Sequence, residues 1–179
     1  MTTFPLHSSE TAPEGSKPIL GAVQKNWGFL PNLIRLLADA PAAVEAYTSL
    51  NAIFEKTSFS DTEKQAVLLA VSQVNGCDYC LAAHSTIAGM KKVPADVIKA
   101  ASTGGTFDDP KLEILVKLTR SIVETRGWPE AALLEAFYAG GYTTANYLEL
   151  LVGVTMKTLS NYVNHQANTP IDEAFGGGK

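Results

Sequence analysis

The residues that follow Ser60-Asp61-Thr62-Glu63 constrain the fold more than any other part of the chain. A serine with a glutamate three residues later is the capping box, in which each side chain binds the other residue's backbone N–H. A helix is therefore predicted to begin here. From Ala66 to Val74 the predicted helix is apolar nearly all round. Because such a helix has to be covered on several sides, it is predicted to be central and buried.

Apolar residues recur at helical spacing in most of the chain. Helices are predicted at about 17–26, just after Leu30-Pro31, 42–56, 60–74, 77–90, just after Pro94, 111–125, between Glu130 and Gly140, and 143–166. Asn75-Gly76 separates the central helix from the next one, since glycine readily adopts the left-handed conformation at a helix end. No β-branched run with alternating polarity competes with these helices, so the chain is predicted to be all-α.

The chain is expected to form one domain with irregular ends, because 179 residues can bury a sizeable core. Residues 1–16 are polar and contain Pro5 and Pro13, which predicts an irregular arm. Residues 17–168 are predicted to form a single compact helical domain. Residues 169–179 end in three glycines and a lysine, and a loosely ordered tail is expected there.

A weak internal similarity raises the hypothesis that the domain contains a duplicated two-helix unit. When His165 is aligned with His84, several apolar positions coincide and an asparagine takes the place of the second cysteine. In this hypothesis residues 142–171 are a second copy of 61–90 that has lost its thiols. The alternative is that two buried helices resemble each other because both are apolar.

Composition narrows the partners that can be expected. The formal net charge is -4 and the isoelectric point about 5.3, without a lysine- or arginine-rich face. Neither nucleic acid nor an anionic membrane is therefore an expected partner. The start of the chain lacks the features of a secretory signal, and no apolar run reaches the roughly 18 residues that span a bilayer. A cytoplasmic location is expected.

The motif Cys77-Asp-Tyr-Cys80-Leu-Ala-Ala-His84 contains both cysteines and one of the three histidines of the chain. In a helix that begins near Cys77, spacings of three, four and seven residues put these side chains on one face. Two thiols so close can form a disulfide after one is oxidised, and an imidazole can transfer the proton. The motif therefore predicts a thiol redox centre with Cys77, Cys80 and His84 as catalytic residues.

The residues themselves leave open which thiol attacks. Cys77 would meet the unpaired N–H groups and positive dipole end of its helix, which lower a thiol pKa. Cys80 lies one helical turn from His84, which could act as its general base. The same residues could instead bind zinc, pack as an inert pair or form a structural disulfide. A zinc site needs a fourth ligand, so no metal is predicted. A structural disulfide is not expected either, because cytosolic proteins rarely have one.

The segment from Glu63 to His84 resembles the core signature of the AhpD-like alkylhydroperoxidases, which belong to the carboxymuconolactone decarboxylase superfamily. Phe29-Leu-Pro-Asn32 and Asn161-Tyr-Val-Asn-His165 are similar to its peroxidase-related branch. The resemblance implies an all-helical protomer that assembles into a homotrimer or hexamer. It also implies reduction of hydroperoxides by protein thiols without a metal, haem or other cofactor, with an external thiol or dithiol as reductant.

The resemblance implies that Cys80 attacks the peroxide, that Cys77 resolves the oxidised form and meets the reductant, and that His84 relays protons. One position departs from the family, because its relay glutamate falls at Gln65 in this sequence. Glutamine forms hydrogen bonds but cannot carry a proton at neutral pH.

Three other residues are weaker candidates for the site. Glu63 lies near Gln65 but on another side of the helix, and the capping box already explains it. His165 could replace the missing relay carboxylate, although a histidine on an apolar helix is usually a core residue. Tyr79, between the thiols, could gate access or simply pack.

Hydroperoxide reduction through a Cys-x-x-Cys disulfide cycle is the leading functional prediction. The alternatives are a general thiol–disulfide oxidoreductase, a non-catalytic redox- or zinc-responsive helical protein, and a decarboxylase acting on a lactone acid. A decarboxylase should survive substitution of both cysteines, whereas the peroxidase should not. The sequence does not specify the physiological hydroperoxide or the electron donor.

Overall fold

The computed structural model describes residues 4–177, and no strand occurs in that range. Its elements are α1 Lys17–Trp27, α2 Asn32–Leu37, α3 Pro41–Glu55, α4 Asp61–Val74, α5 Asp78–Met90, α6 Ala95–Thr103, α7 Pro110–Glu124, α8 Ala131–Ala139, α9 Thr144–Ala167 and a 3₁₀ turn at Glu173–Phe175. The all-α prediction is confirmed. None of the described helices is long and apolar enough to cross a membrane.

Helix α4 lies at the centre of the fold, as its sequence predicts. The capping box forms, with the Ser60 N–H donating to the Glu63 carboxylate at 2.8 Å and the Glu63 N–H donating to Ser60 Oγ at 3.2 Å. Every residue from Lys64 to Ser72 is buried. The helix packs against α5, α6, α7 and α9, which explains why it has no polar face.

The turn between α4 and α5 places the first cysteine at a helix start. Gly76 has a φ of 64°, in the left-handed region that glycine adopts without strain. Cys77 then takes an extended conformation as the N-cap of α5, and the helix begins at Asp78. The predicted break at Asn75-Gly76 is confirmed, and this turn orients both cysteines toward α9.

Helix α9 runs the length of the domain and packs against both α3 and α4. Its start is capped by Thr143, whose side chain accepts from the N–H of Asn146. At Gly153 a Cβ atom would lie 2.6 Å from Cε2 of Phe54 in α3, closer than atoms can pack. Glycine at this position therefore lets the two helices approach each other.

The hypothesis of a duplicated two-helix unit is wrong in its proposed alignment. Residues 61–90 contain α4, a turn and α5, whereas residues 142–171 contain the single uninterrupted helix α9. The two segments cannot superpose as helix pairs. Their similarity reflects burial, because buried helices repeat apolar residues at the same spacing.

Both ends of the described chain are tied to the helical domain. In the segment before α1, Ser16 Oγ donates to the Ala38 carbonyl at 2.7 Å. After α9, the Asp172 carboxylate accepts the backbone N–H of Asn32 at 3.1 Å. Residues 1–3 of the predicted arm and 178–179 of the predicted tail lie outside the described range.

Candidate active site

A cavity of about 570 Å³ lies beside the start of α5. Its walls are mostly apolar and aromatic, formed by Trp27, Phe29, Leu33, Ile34, Tyr47, Tyr79, Ala83, Ile87, Met90 and Phe175. Its polar residues with little solvent exposure are Gln65, Cys80, His84 and Lys157. The cavity therefore combines an apolar enclosure with a few converging polar groups, which is typical of a small-molecule site.

The two thiols relate differently to this cavity. Both are free and both are buried, each with 1% of its surface exposed. Cys80 lines the cavity, whereas Cys77 is not one of the lining residues. A molecule in the cavity therefore meets Cys80.

Helix α9 contributes a polar stripe that faces the thiols. Asn164 Nδ2 donates to Cys80 Sγ at 3.2 Å and is 3.8 Å from Cys77 Sγ. Ser160 Oγ lies 3.8 Å from Cys80 Sγ. Lys157, one turn before Ser160, is 1% exposed and lines the cavity. Donors and a positive charge directed at one sulfur favour its thiolate form.

The surroundings set the two cysteine pKa values apart. A hydrogen bond from the Cys77 thiol is the main cause that holds the pKa of Cys80 well below its usual range. The charge of Lys157 and hydrogen bonds from Lys157 and Ser160 act in the same direction, against the effect of burial. The same hydrogen bond to Cys80, together with burial, raises the pKa of Cys77. The contacts from α9 therefore favour Cys80 over Cys77 as the thiolate of the pair, although Cys77 occupies the helix N-cap.

His84 is a neutral imidazole in this site. Burial is the main cause that lowers its pKa well below the usual value, and the charges of Lys157 and Lys91 add to the effect. Its Nδ1 lies 3.2 Å from Gln65 Oε1. Since an amide oxygen only accepts, Nδ1 carries the proton and Nε2 is free to accept one. Gln65 thus fixes the tautomer of His84, but it cannot supply the charge that a glutamate would.

Tyr79 connects the thiol helix to the C-terminal segment. Its hydroxyl donates to Asp172 Oδ2 at 2.5 Å and accepts the N–H of Leu33 at 3.3 Å. Burial, followed by the hydrogen bond to Asp172, raises the pKa of Tyr79. Phe175 packs edge-on against the Tyr79 ring and completes one wall of the cavity.

Two of the candidate residues lie outside the cavity lining. Glu63 forms the capping box and accepts from the Tyr142 hydroxyl at 2.7 Å. Burial raises its pKa, but the hydrogen bonds from Tyr142 and Ser60 outweigh this effect and lower it. His165 is exposed on α9. It follows Asn164 by one residue, which turns it about 100° away from the stripe that faces the thiols.

The thiols and His84 do not form part of a metal-binding cluster. Among the described residues, no group of three or more histidine, cysteine, aspartate or glutamate side chains is arranged to hold a metal ion. The groups around Cys80 are an amide that donates to its sulfur, a hydroxyl and an ammonium, and none of them is a usual ligand of zinc. The donor set fits a reactive thiolate better than a metal centre.

Solved structures show which fold this chain has. A peroxidase-related protein of Ralstonia eutropha JMP134, described as an alkylhydroperoxidase AhpD core, has a TM-score of 0.83 at 20% identity, over 96% of this chain and 93% of the other. A peroxidase-related protein of Silicibacter sp. TM1040 gives 0.81 at 16% identity, over 98% and 94%. The fold is therefore AhpD-like, as the resemblance implies.

A third similar structure carries a different description. The debrominase Bmp8, solved as its C82A variant with 2,3,4-tribromopyrrole, has a TM-score of 0.81 at 20% identity, over 98% of this chain and 94% of the other. A comparison with curated protein sequences gives no significant match. The model of the carboxymuconolactone decarboxylase family matches residues 39–139, more than half of the sequence. The chain belongs to that family.

Proposed function

We propose that the protein reduces hydroperoxides through a disulfide cycle of Cys80 and Cys77. The observation that carries this proposal is the position of buried Cys80 in the wall of a mostly apolar cavity, with Asn164, Ser160 and Lys157 near its sulfur. These groups stabilise the thiolate, which is the nucleophilic form. The chain belongs to the carboxymuconolactone decarboxylase family and has the fold of a protein described as an alkylhydroperoxidase AhpD core, which supports hydroperoxide reduction by thiols.

The reaction divides into two steps that the geometry can support. The Cys80 thiolate attacks the terminal peroxide oxygen, the O–O bond breaks, and the products are Cys80 sulfenic acid and an alkoxide. The Cys77 thiol gives its proton to the alkoxide, with His84 Nε2 or a water molecule as carrier. The Cys77 thiolate then attacks the sulfenic sulfur, and hydroxide leaves as the disulfide forms. An external thiol or dithiol returns two electrons and restores both thiols.

His84 has a different role here from that of a charged relay. Because its imidazole is neutral and Nδ1 is held by Gln65, it accepts and passes on a proton at Nε2. It cannot provide a permanent positive charge beside the alkoxide. We infer that Lys157 provides that charge, since it is the ammonium group on the cavity wall next to Cys80.

A second candidate reaction uses the same thiols. The aromatic walls formed by Trp27, Phe29 and Tyr47 fit a planar ring, and Bmp8 has this fold and is a debrominase. Thiolate attack on a ring bromine would break the C–Br bond and form a sulfenyl bromide, and the ring carbon would take the proton of the Cys77 thiol, directly or through water. The Cys77 thiolate would then displace bromide and form the disulfide. In total, two thiols are oxidised while one C–Br bond is reduced to C–H.

Peroxide consumption tests the proposal with three reductants, which are dithiothreitol, dihydrolipoamide and a thioredoxin system. Wild type should turn over cumene hydroperoxide. Cys80→Ser should consume none. When peroxide is added without reductant, Cys77→Ser should consume one equivalent and stop at a sulfenic acid detectable by mass spectrometry. Equal turnover in wild type and Cys80→Ser would refute the thiol mechanism.

The same panel separates the competing functions. Bromide release from brominated pyrroles without peroxide consumption would favour the dehalogenation reaction. Loss of a carboxyl group from a lactone acid that survives the Cys77→Ser/Cys80→Ser double substitution would favour a decarboxylase. Exchange of disulfides without reaction with peroxide or bromide release would indicate a general thiol–disulfide oxidoreductase.

A further inference from the structure

Lys157 is a buried cation without a carboxylate partner. It is 1% exposed, and none of the ion pairs among the described residues includes it. The other buried lysine, Lys64, satisfies its Nζ by donating to the Glu55 carbonyl at 2.7 Å. Because a buried charge is costly unless it is paired, Lys157 needs an anion nearby.

The group near Lys157 that can carry a negative charge is the Cys80 thiol, whose pKa its surroundings lower. Lys157 and Cys80 both line the cavity, and Ser160, one turn along α9 from Lys157, lies 3.8 Å from Cys80 Sγ. The other lysine at the cavity, Lys91, already contacts Glu55 at 2.7 Å and Asp61 at 3.0 Å. In the reduced protein, therefore, the inner end of the cavity holds one cation and one anion.

Formation of the disulfide removes this anion and leaves the cation. We propose that the cavity is a redox-gated anion site, in which Lys157 pairs with the Cys80 thiolate in the reduced protein and binds an anionic ligand once the thiolate is consumed. The physiological trigger rests on the proposed disulfide cycle. The site itself depends only on Lys157 and on the absence of the Cys80 charge.

The lining of the cavity specifies the chemical class of the ligand. Most of its wall area is apolar and aromatic, and the charges of Glu55 and Lys91 at its wall are paired with each other, so the ligand has an apolar body. Since the ammonium of Lys91 is paired with two carboxylates, the ligand needs only one negative group, which is placed against Lys157. The fitting ligand is an apolar monocarboxylate, either a molecule without a thiol or a thiol reductant that carries the carboxylate.

Octanoate, octylammonium and 1-octanol are matched probes for this inference, measured by isothermal titration calorimetry. We expect octanoate to bind the diamide-oxidised protein at least about tenfold more tightly than the protein kept reduced with dithiothreitol. Octanol should bind both forms equally, and octylammonium should prefer the reduced form. Equal affinity of octanoate for the two forms, with the disulfide confirmed by mass spectrometry, would overturn the inference and leave the proposed function intact.

A variant without redox chemistry keeps the two proposals separate. Cys80→Ser lacks the thiolate permanently and should bind octanoate without oxidation, with an affinity close to that of the oxidised wild type. Adding Lys157→Met should remove this binding, whereas adding Lys64→Met, which changes a buried lysine with no contact to the thiols, should not. If diamide forms no disulfide but Cys80→Ser still binds octanoate, the disulfide cycle fails and the anion site stands.

Two thiols distinguish the sources of the anion. If the natural ligand is the reductant, 8-mercaptooctanoate should reduce the disulfide at least about threefold faster than 8-mercapto-1-octanol, and Lys157→Met should abolish the difference. Equal rates together with tight octanoate binding would assign the site to an anion other than the reductant. Equal rates together with octanoate affinity that is the same in Cys80→Ser and Cys80→Ser/Lys157→Met would eliminate the site.

Discussion

Helices α5 and α9 meet at the thiol pair but contribute to it in opposite ways. In the proposed cycle, helix α5 supplies the groups that react, and α9 supplies the groups that set their charge. Cys77 sits at the N-cap of α5, where a helix start would be expected to lower a thiol pKa. The donors of α9 are directed mainly at Cys80 instead, and Cys80 has the lower pKa.

The two helices therefore act on the thiols in different ways. The dipole acts on every group at a helix start and weakens within a turn. A hydrogen bond at 3.2 Å from Asn164 and a buried ammonium act on one atom. Substitutions in the two helices should therefore affect different properties, with α9 controlling thiolate formation and α4–α5 controlling proton movement.

Among the substitutions in the two helices, Lys157→Met should have the largest effect on the ionisation of the Cys80 thiol. Without the ammonium, the Cys80 thiolate loses its counter-charge, the pKa of Cys80 rises, and reaction with peroxide at pH 7 should slow by about tenfold to a hundredfold. The pH dependence of alkylation by iodoacetamide measures the thiol pKa directly. Lys64→Met is the control, and an unchanged alkylation profile in Lys157→Met would show that α9 does not set the charge.

Substitution of Asn164 by leucine should have a smaller effect in the same direction. It removes the amide donor to Cys80 Sγ, and a hydrogen bond to a charged group is worth enough to slow alkylation at pH 7 by about threefold to tenfold. Asn161→Leu is a matched control, because Asn161 is buried on the same helix but bonds to Asn75. The idea fails if the two variants alkylate at the same rate.

Substitution of Gln65 by glutamate tests whether the contact between α4 and α5 controls proton transfer through His84. The new carboxylate would lie beside His84 Nδ1, raise the pKa of His84 and allow the imidazolium to donate a proton to the alkoxide. Peroxide turnover at neutral pH should increase by about threefold or more. Glu63→Gln is the control, since Glu63 caps α4 outside the cavity. No increase in Gln65→Glu would mean that the missing carboxylate does not limit turnover.

The pH dependence of stability should show the smallest effect. The pKa of His84 is lowered in the folded protein, while in the unfolded chain it is about 6.5. Below about pH 6.5 the unfolded state therefore binds a proton that the folded state does not. The free energy of unfolding should fall as the pH decreases through this range, by at most about 1.4 kcal/mol per pH unit.

Urea unfolding at pH 7.0, 6.0 and 5.5 would measure this slope. His84→Gln should flatten it, whereas His165→Gln should leave it unchanged because His165 is exposed. A slope that is the same in wild type and His84→Gln would show that burial of His84 does not contribute to acid sensitivity.

Local signals explain how much of this site the sequence predicts. The capping box at Ser60, the break at Gly76 and the rarity of cysteine locate α4, α5 and the thiols, because each signal lies within one turn of the feature it specifies. The spacing from Cys77 to His84 needs only helical geometry. These predictions did not require knowledge of the tertiary packing.

The contribution of α9 depends on packing that no local pattern reveals. Lys157, Ser160 and Asn164 recur every three or four residues, and this spacing is the signal that could have identified them. Other polar residues of α9, such as Thr158 and Asn161, lie between them in the sequence and obscure it. His165 is a candidate from the sequence because it is a histidine, yet it is exposed to solvent one residue beyond the stripe. The choice between Cys77 and Cys80 likewise needed the contacts between helices.

The bond between Tyr79 and Asp172 joins positions that are far apart in the chain. Asp172 accepts from the Tyr79 hydroxyl and from the Asn32 N–H, and Phe175, three residues later, forms part of the cavity wall. Phenylalanine at 79 would leave the carboxylate without this donor, and alanine at 172 would leave a half-buried hydroxyl without an acceptor. Each change alone is therefore unfavourable.

Positions 79 and 172 should consequently covary among members of the family. In an alignment of family members, the tyrosine between the cysteines and the aspartate near the end of the chain should be gained and lost together. Members that lack both residues would lack the hydrogen bond that joins the C-terminal segment to the thiol helix. Their cavity would then have a different shape. Covariation of positions 79 and 172 would then mark the subgroup of the family that shares this protein's choice of substrate.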